Sequence, residues 1–245
     1  MEPETVRAFY EKEDVVLHYA AAVHRVGLWK SEEFLLTRLF RPDQHLLELG
    51  CGAGRITFGL VDLGYRSIMP TDYSAGMIDM AKRIAQERRI ELGFQVADAC
   101  NLPFEDASFD GAIFGFNGLM QIPHSSRRLQ AMREVARVIR PGSHFFFTTH
   151  DRSNPKRRKQ WKKDRKMWEA GRQPAAYDEF GDCIGETRWG EMYIHIPIRE
   201  EISSQLDRAG FRLLSCEKRS MIAVEDQATR EFSDECLMWV VTRKS

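Results

Sequence analysis

The chain has 245 residues, with 36 basic and 36 acidic side chains, so its formal net charge at pH 7 is zero. This balance argues against binding to nucleic acid or a membrane surface through net positive charge, and the length is enough to bury a large core. The five cysteines have no Cys-x-x-Cys spacing, which argues against a structural zinc site and is typical of a reducing compartment. No apolar run approaches the roughly 20 residues that span a bilayer, and no signal-peptide pattern is present, so we expect a cytoplasmic protein.

The first 40 residues predict a helical extension. Apolar residues from Val15 to Val23 recur every three to four positions, which indicates helix within residues 1–28. A second helix is expected from Ser31, a suitable N-cap, to Phe40. The extension either packs on the core or closes over a ligand, and in the second case Tyr19 is its most interesting side chain.

From residue 41 to residue 150 strands and helices alternate, which predicts an α/β fold with a parallel sheet and helices on both faces. The expected strands are 45–49, 66–71, 92–96, 109–114 and 143–149. The expected helices are 55–63, 74–88 and 126–139. The segment Arg140-Pro141-Gly142 is expected to stop the last of these helices.

The composition changes after residue 150. Ten Lys and Arg residues lie within 152–172, where Trp161, Arg165 and Trp168 share one helical face. This pattern predicts a solvated helix that is docked by its two tryptophans. Two strands around a turn near Trp189 are expected next, so the segment would form an inserted helix and hairpin.

The last part of the chain is expected to complete the large sheet. A helix is predicted at 199–208, and strands at 211–216 and 236–242 follow it. The final strand would close the sheet in the antiparallel direction.

The segment LLELGCGAGRIT, residues 46–57, joins an apolar run to a glycine turn and the start of a helix. This arrangement brings bare backbone close to a nucleotide-like ligand. A dinucleotide fingerprint needs its third glycine where this chain has Arg55. The spacing E-x-G-x-G-x-G from Glu48 to Gly54 instead resembles motif I of the class I S-adenosylmethionine-dependent methyltransferases.

Three acidic residues fall at or near the carboxyl ends of the first three predicted strands, where such sheets bind ligands. Glu48 lies in the first strand, Asp72 ends the second and Asp98 ends the third. At these positions Asp72 can accept hydrogen bonds from both ribose hydroxyls, and Asp98 is within reach of an adenine amino group. Each alone is typical of a turn or a cap, but all three with the glycine turn indicate a nucleoside site.

The resemblance covers residues 40–150 and implies a Rossmann-like fold that binds S-adenosyl-L-methionine and releases S-adenosyl-L-homocysteine. It implies that Tyr73 and Met77 pack on the adenine and that Ala99 supplies a backbone N–H. Arg140-Pro141-Gly142 resembles the family's L-x-P-G-G element, with Ser143 replacing the second glycine. The cofactor-binding residues expected in this chain are Tyr19, Glu48, Gly50, Cys51, Gly52, Gly54, Asp72, Tyr73, Met77, Asp98, Ala99, Phe116, Asn117 and Gln121.

We interpret residues 1–245 as one methyltransferase domain. Its expected parts are a helical extension (1–40), a cofactor-binding core (41–150), an inserted cap (151–196) and the C-terminal part of the sheet (197–245).

Methyl transfer from an activated sulfur requires mainly in-line placement of the acceptor, and a base is needed only for a protonated acceptor. The candidate bases are His124, His150 and His195, which lie near expected strand ends or loops. For each of them a surface position or a satisfied structural role is the competing interpretation.

The residues that are typical of several methyltransferase subclasses are absent from this sequence. Phe116-Asn117-Gly118-Leu119 departs from the Asn-Pro-Pro-Tyr tetrad of the DNA amino-methyltransferases, and no cysteine has the Pro-Cys setting of cytosine C5 enzymes. Asp151 alone does not make a catechol-type metal site, so no metal is expected.

We predict an enzyme, a monomer or homodimer, that methylates a small molecule at N, O or C. Two alternatives stay open. One is an RNA (tRNA) methyltransferase that uses 152–172 as a phosphate-binding arm, although Asp151, Asp164 and Glu169 interrupt the basic run. The other is a cofactor-binding regulator without turnover.

Overall fold

The computed structural model describes residues 1–245, except for the side chain of Lys156. The strands, in chain order, are β1 (Leu46–Leu49), β2 (Ile68–Asp72), β3 (Gln95–Val96), β4 (Phe109–Phe114), β5 (Ile139–Thr149), β6 (Asp182–Thr187), β7 (Gly190–His195), β8 (Phe211–Lys218) and β9 (Leu237–Arg243). The helices are α1 (Pro3–Tyr10), α2 (Glu13–Arg25), α3 (Lys30–Leu39), α4 (Arg55–Asp62), α5 (Ala75–Glu87), α6 (Ser125–Val138), α7 (Arg158–Glu169), α8 (Arg199–Arg208), α9 (Arg219–Ile222) and α10 (Gln227–Phe232).

Seven strands form one sheet in the order β3-β2-β1-β4-β5-β9-β8. Strands β1 to β5 are parallel, whereas β9 runs antiparallel to both of its neighbours, β5 and β8. The strand order reverses between β1 and β4, which creates a switch point at their carboxyl ends. The predicted Rossmann-like sheet with an antiparallel closing strand is therefore confirmed.

Both faces of the sheet are covered, so β1 is buried along its whole length. Leu47 and Leu49 pack in one core cluster with Met132 of α6, while Leu46 packs in another with Trp29 and Leu36. A parallel strand that is buried on both faces needs apolar residues at successive positions rather than at alternate ones. This requirement explains the continuous run at 46–49, which only Glu48 interrupts.

Most predicted elements are present with boundaries shifted by a few residues. The helix expected to end at 139 ends one residue earlier, but the strand expected to begin at 143 already begins at Ile139. Helix α6 ends at Val138, and Arg140, Pro141 and Gly142 belong to β5. The pairing of β4 with β5 shifts between Phe109 and Gly111, so the segment bulges out of the ladder. Gly142 has a φ of 79°, which suits glycine at this bulge.

The structure also differs from the predicted elements in its N-terminal helix and in two short helices near the C-terminus. The N-terminal helical stretch is divided into α1 and α2 at Glu11 and Lys12. Helices α9 and α10 were not predicted, because four and six residues are too few to show an apolar period.

The inserted segment has the predicted helix and hairpin. Trp161 and Trp168 of α7 approach Phe180 edge-on, with ring centroids 5.9 and 6.1 Å from it, and no described side chain of α7 is fully buried. Strands β6 and β7 pair antiparallel around Arg188 and Trp189. None of the described helices combines the length and apolar character that crossing a membrane requires.

Candidate functional site

A cavity of about 170 Å³ lies at the carboxyl ends of β1, β2 and β4. The glycine turn after β1 lines it, and residues of α1, α2 and α10 contribute to the lining as well. Twelve of the fourteen predicted cofactor residues line the cavity, namely Tyr19, Glu48, Gly50, Cys51, Gly52, Asp72, Tyr73, Met77, Asp98, Ala99, Phe116 and Gln121. The remaining two, Gly54 and Asn117, do not.

The glycine turn has positive φ at all three glycines, a conformation that side chains rarely adopt. At Gly50 a Cβ would lie 2.7 Å from the ring of Phe114, and at Gly54 one would lie 2.5 Å from the ring of Phe58. At Gly52 a Cβ would meet no atom within 4 Å. Gly54 therefore shapes the turn by allowing close packing, whereas Gly52 presents bare backbone to the cavity.

Arg55 occupies the position of the missing third glycine and anchors the turn to α3. Its guanidinium makes two 2.7 Å bonds to the carboxylate of Glu32 and a 2.8 Å bond to the carbonyl of Gly27. It also lies 4.7 Å from the ring centroid of Trp29. A glycine at this position could make none of these contacts.

Asp72 is tied to the glycine turn by backbone hydrogen bonds. Its Oδ2 accepts the N–H of Gly52 at 2.8 Å, and its Oδ1 accepts the N–H of Ser74 at 2.8 Å. Burial raises the pKa of the carboxyl group. Each carboxylate oxygen has a further lone pair, so Asp72 can still accept two hydroxyl groups from a ligand.

Asp98 is held from two sides at the start of the turn after β3. Its Oδ1 accepts the N–H of Cys100 at 2.8 Å, and its Oδ2 accepts Nη2 of Arg127 at 3.0 Å. Arg127, on α6, was not predicted, although it lines the cavity. Arg7 of α1 was missed too, and its guanidinium lies 5.2 Å from the ring centroid of Tyr73.

Glu48 is a buried acid at the inner end of the cavity. Its Oε2 accepts the hydroxyl of Thr57 at 2.5 Å. Burial raises the pKa of Glu48 from its ordinary 4.5 to about 8, against the opposing effect of the Thr57 hydrogen bond. The carboxyl group can therefore accept or release a proton near neutral pH.

An aromatic wall, formed by Tyr19, Phe116 and Phe232, borders the cavity. The ring centroid of Phe116 is 5.9 Å from that of Tyr19 and 5.0 Å from that of Phe232. Phe116 has a φ of 50° and Asn117 a φ of 60°, so the chain leaves β4 through two residues in a strained conformation. Phe232 was missed because it lies on the short helix α10, which has no sequence signal.

The cavity lining also contains the hydroxyl of Tyr10, in addition to the hydroxyl of Tyr19. The hydroxyl of Tyr10 is buried and interacts with the side chains of Tyr19 and Gln121, and the ring centroid of Tyr10 is 6.0 Å from that of Tyr19. Burial raises the pKa of Tyr10 and raises that of Tyr19 to about 12, so both hydroxyls are protonated donors at neutral pH.

Asn117 and His150 contact each other but are not among the residues that line the cavity. The N–H of Asn117 donates to Oγ1 of Thr148 at 2.7 Å, and its Nδ2 is 3.4 Å from Nε2 of His150. Nδ1 of His150 is 3.3 Å from the carbonyl oxygen of Glu235. Their contacts join the ends of β4, β5 and β9.

The other two predicted bases are also away from the cavity lining. His124 precedes α6, with its Nδ1 3.1 Å from Asp178. His195 is buried between two acids, with Nδ1 2.8 Å from Asp182 and Nε2 2.7 Å from Glu201. None of the three histidines is among the residues that line the cavity.

The groups around His195 form a balanced ion cluster. Glu179, Asp182 and His195 bring possible ligand atoms within 4.8 Å of one another. However, the fully buried guanidinium of Arg128 donates to Glu179 at 2.7 Å and lies 3.8 Å from Glu201. A cation therefore already neutralises these carboxylates.

A sequence profile described as a methyltransferase domain matches residues 47–147. An O-methyltransferase of Pyrenophora dematioidea is 33% identical over 158 residues, which are 56% of this chain and 57% of that protein. A ubiquinone/menaquinone biosynthesis C-methyltransferase of Acidiphilium cryptum is 30% identical over 207 residues, 79% of this chain and 75% of that protein. The chain thus spans little more than half the length of the first relative and three quarters of the second.

Solved structures share the fold at lower identity. A SAM-dependent methyltransferase from Methanosarcina mazei aligns with a TM-score of 0.69 and 20% identity, over 85% of this chain and 96% of that one. A protein from Pyrococcus horikoshii aligns with a TM-score of 0.67 and 21% identity over the full length of both chains.

Proposed function

This chain belongs to the class I S-adenosylmethionine-dependent methyltransferases, and we propose that it methylates a small-molecule acceptor at O, N or C within the cavity beside the glycine turn. One observation carries the proposal. The turn, Asp72 and Asp98 converge on the same cavity, and the aromatic wall borders that cavity. The polar groups suit a nucleoside, and the wall suits an apolar acceptor.

The residues present fit the cofactor. We assign the ribose hydroxyls to the remaining lone pairs of Asp72 and the adenine amine to Asp98. Tyr73 and Met77 would pack against the adenine, and the backbone of Gly52 allows close approach. When bound, the cofactor supplies a methyl group activated by a positively charged sulfur.

The chain's own contribution to methyl transfer is to place the acceptor and to exclude water from the cavity. Faces of Tyr19, Phe116 and Phe232 attract a positive charge and keep water from the reacting atoms. The hydroxyl of Tyr10, which also lines the cavity, would give an acceptor a polar contact beside these aromatic rings. None of these four groups is a base, but Glu48 also lines the cavity and can accept a proton near neutral pH.

The relatives support a small acceptor, because their names describe O-methyltransferases and quinone C-methyltransferases. No observation favours RNA equally. Helix α7 lies on Phe180 through Trp161 and Trp168, and its basic run also contains the acidic residues Asp164 and Glu169.

The test has two stages. Calorimetric titration with S-adenosylhomocysteine should give one site, with no competition from NAD. Incubation with isotopically methyl-labelled cofactor and a cell extract, separated into metabolites, RNA and protein, should then label the metabolite fraction. Label in RNA would contradict the small-molecule proposal, and cofactor binding without transfer to any fraction would favour a regulator.

A further inference from the structure

We propose that Arg127 is the positioning residue that makes the site select adenine over 6-oxo purines, because it holds Asp98 as a fixed hydrogen-bond acceptor. This inference rests on the proposed cofactor site and extends it to a residue outside the glycine motif. Arg127 is separated from Asp98 by 29 residues and belongs to a different element.

The placement of Arg127 on α6 is unfavourable for the helix itself. Arg127 and Arg128 both lie in the first turn, where the positive end of the helix dipole repels cations, and that turn contains no acidic residue. Each arginine is instead paired with a carboxylate outside the helix, Arg127 with Asp98 and Arg128 with Glu179. Arg127 and Arg128 therefore serve contacts between α6 and other parts of the fold rather than the stability of α6 itself.

The turn that carries Asp98 is tied to the start of α6 by a second contact. The thiol of Cys100 donates to the carbonyl oxygen of Arg127 at 3.4 Å. The N–H of Cys100 donates to Oδ1 of Asp98, and the N–H of Asn101 donates to the carbonyl of Asp98. The backbone position of Asp98 is thus set within its own turn, whereas among the described side chains only Arg127 bonds to Oδ2.

This arrangement predicts which purine edge is accepted. A carboxylate is an acceptor only, so its free lone pair suits the amine of adenine. A 6-oxo purine would place a carbonyl oxygen against the carboxylate, which leaves two acceptors facing each other. Without Arg127, Oδ2 has no fixed partner and the carboxyl group can turn away from the carbonyl oxygen.

The salt bridge is about one third exposed on each side, so its net contribution to folding is small. Replacement of Arg127 should therefore alter ligand selectivity more than stability. This difference separates a positioning role from a merely structural one.

The experiment measures dissociation constants of S-adenosylhomocysteine and its deaminated analogue, S-inosylhomocysteine, by calorimetry. Wild-type protein should prefer the adenine ligand by about 100-fold, since two acceptors that face each other in the bound complex, where the ligand excludes water, lower affinity by about that factor. Arg127→Gln should narrow this ratio to about tenfold. Arg127→Lys, which keeps a charged donor, should retain most of the ratio, and Arg133→Gln on the exposed face of the same helix should leave it unchanged.

Two results would overturn the inference. An unchanged ratio in Arg127→Gln, including equal weakening of both ligands, would mean that Arg127 only supports the fold. If wild-type protein binds S-adenosylhomocysteine but shows no preference over the deaminated analogue, Asp98 does not read the purine edge. Failure of the wild-type protein to bind S-adenosylhomocysteine at all is distinguishable, because it would reject the proposed function as well.

Discussion

At the scale of single residues, Asp72 joins the glycine turn to the proposed ribose position. Its carboxylate already accepts two backbone N–H groups, so removing the side chain would disturb the turn as well as the ligand contacts. The isosteric change is the more informative one, because an amide keeps the shape while replacing one acceptor by a donor.

We expect Asp72→Asn to weaken binding of S-adenosylhomocysteine by about 10²-fold, since charge-assisted hydrogen bonds contribute about 1.5–3 kcal/mol each. Calorimetry measures the change, and the melting temperature of the unliganded variant serves as the control for folding. Wild-type affinity in a folded variant would remove Asp72 from the ribose site.

Because of Glu48, we expect the stability of the ligand-free protein to depend on pH. Its pKa is raised in the fold from 4.5 to about 8, so the fold favours the protonated acid. The stability it contributes is fully present below pH 4.5 and is lost as pH rises through about 8.

Glu48→Gln, which is neutral at every pH and can still accept the Thr57 hydroxyl, should therefore melt near wild type at pH 5 and above it at pH 9. Thermal melts across this range measure the difference between the two proteins. Parallel curves would show that Glu48 is not a buried acid with a raised pKa.

At the scale of elements, the helix and hairpin between residues 151 and 196 are attached to the rest of the fold through the cluster around His195. Burial opposes the charge on this histidine, but hydrogen bonds to Asp182 and Glu201 outweigh burial and raise the pKa of His195. The other charged or titratable groups of the cluster are Arg128 on α6, Arg152 and Glu179 in loops and Tyr193 on β7. The charged imidazolium thus links β6 and β7 to α8.

His195→Gln should lower stability by about 3–5 kcal/mol at pH 6, because the buried carboxylate of Asp182 loses its charged partner. The raised pKa means that this stabilisation is present below pH 6.5 and is lost as pH rises through the folded value, so the difference should shrink toward pH 9. Chemical denaturation at both pH values measures it, with exposed His24→Gln as the control. A variant with normal stability but kcat/KM reduced by about tenfold would instead restore His195 as a candidate base.

The site also combines elements that are far apart in the chain. Glu11, at the end of α1, accepts the N–H groups of Ala75 and Gly76 at 2.9 and 3.1 Å, at the N-terminus of α5. The hydroxyl of Ser74 donates to the carbonyl of Tyr10 at 3.2 Å. These contacts hold α1 beside the cavity, so the N-terminal extension contributes residues to the cavity lining and also packs on the core.

At the scale of the whole molecule, the neutral net charge and the basic helix α7 give opposite indications about RNA. Simultaneous charge reversal of Lys162 and Lys163, which are exposed, should leave transfer to a small molecule within twofold of wild type, because solvated lysines contribute little to a distant site. The measurement is kcat/KM with the acceptor found in the extract screen. A large loss of activity, together with steep salt dependence of binding to bulk tRNA, would favour the RNA alternative.

The amino-acid sequence by itself determined the order of strands and helices, the glycine turn and the acids at the strand ends. These features depend on local spacing: Asp72 follows its strand directly, and the turn from Gly50 to Gly54 lies between a strand and the helix that it joins. Once the strands are parallel, their carboxyl ends must meet at one edge. For this reason the positions of Asp72 and Asp98 at the cavity followed without coordinates.

Only the tertiary structure decided which distant residues complete the site. Tyr10, Arg127 and Phe232 lie on three different helices and have no motif around them, so packing over long sequence separations alone brings them to the cavity. The same long-range packing places His195 between Asp182 and Glu201, away from the cavity. Local patterns cannot show this, because the direction in which a side chain points depends on which elements pack against its own.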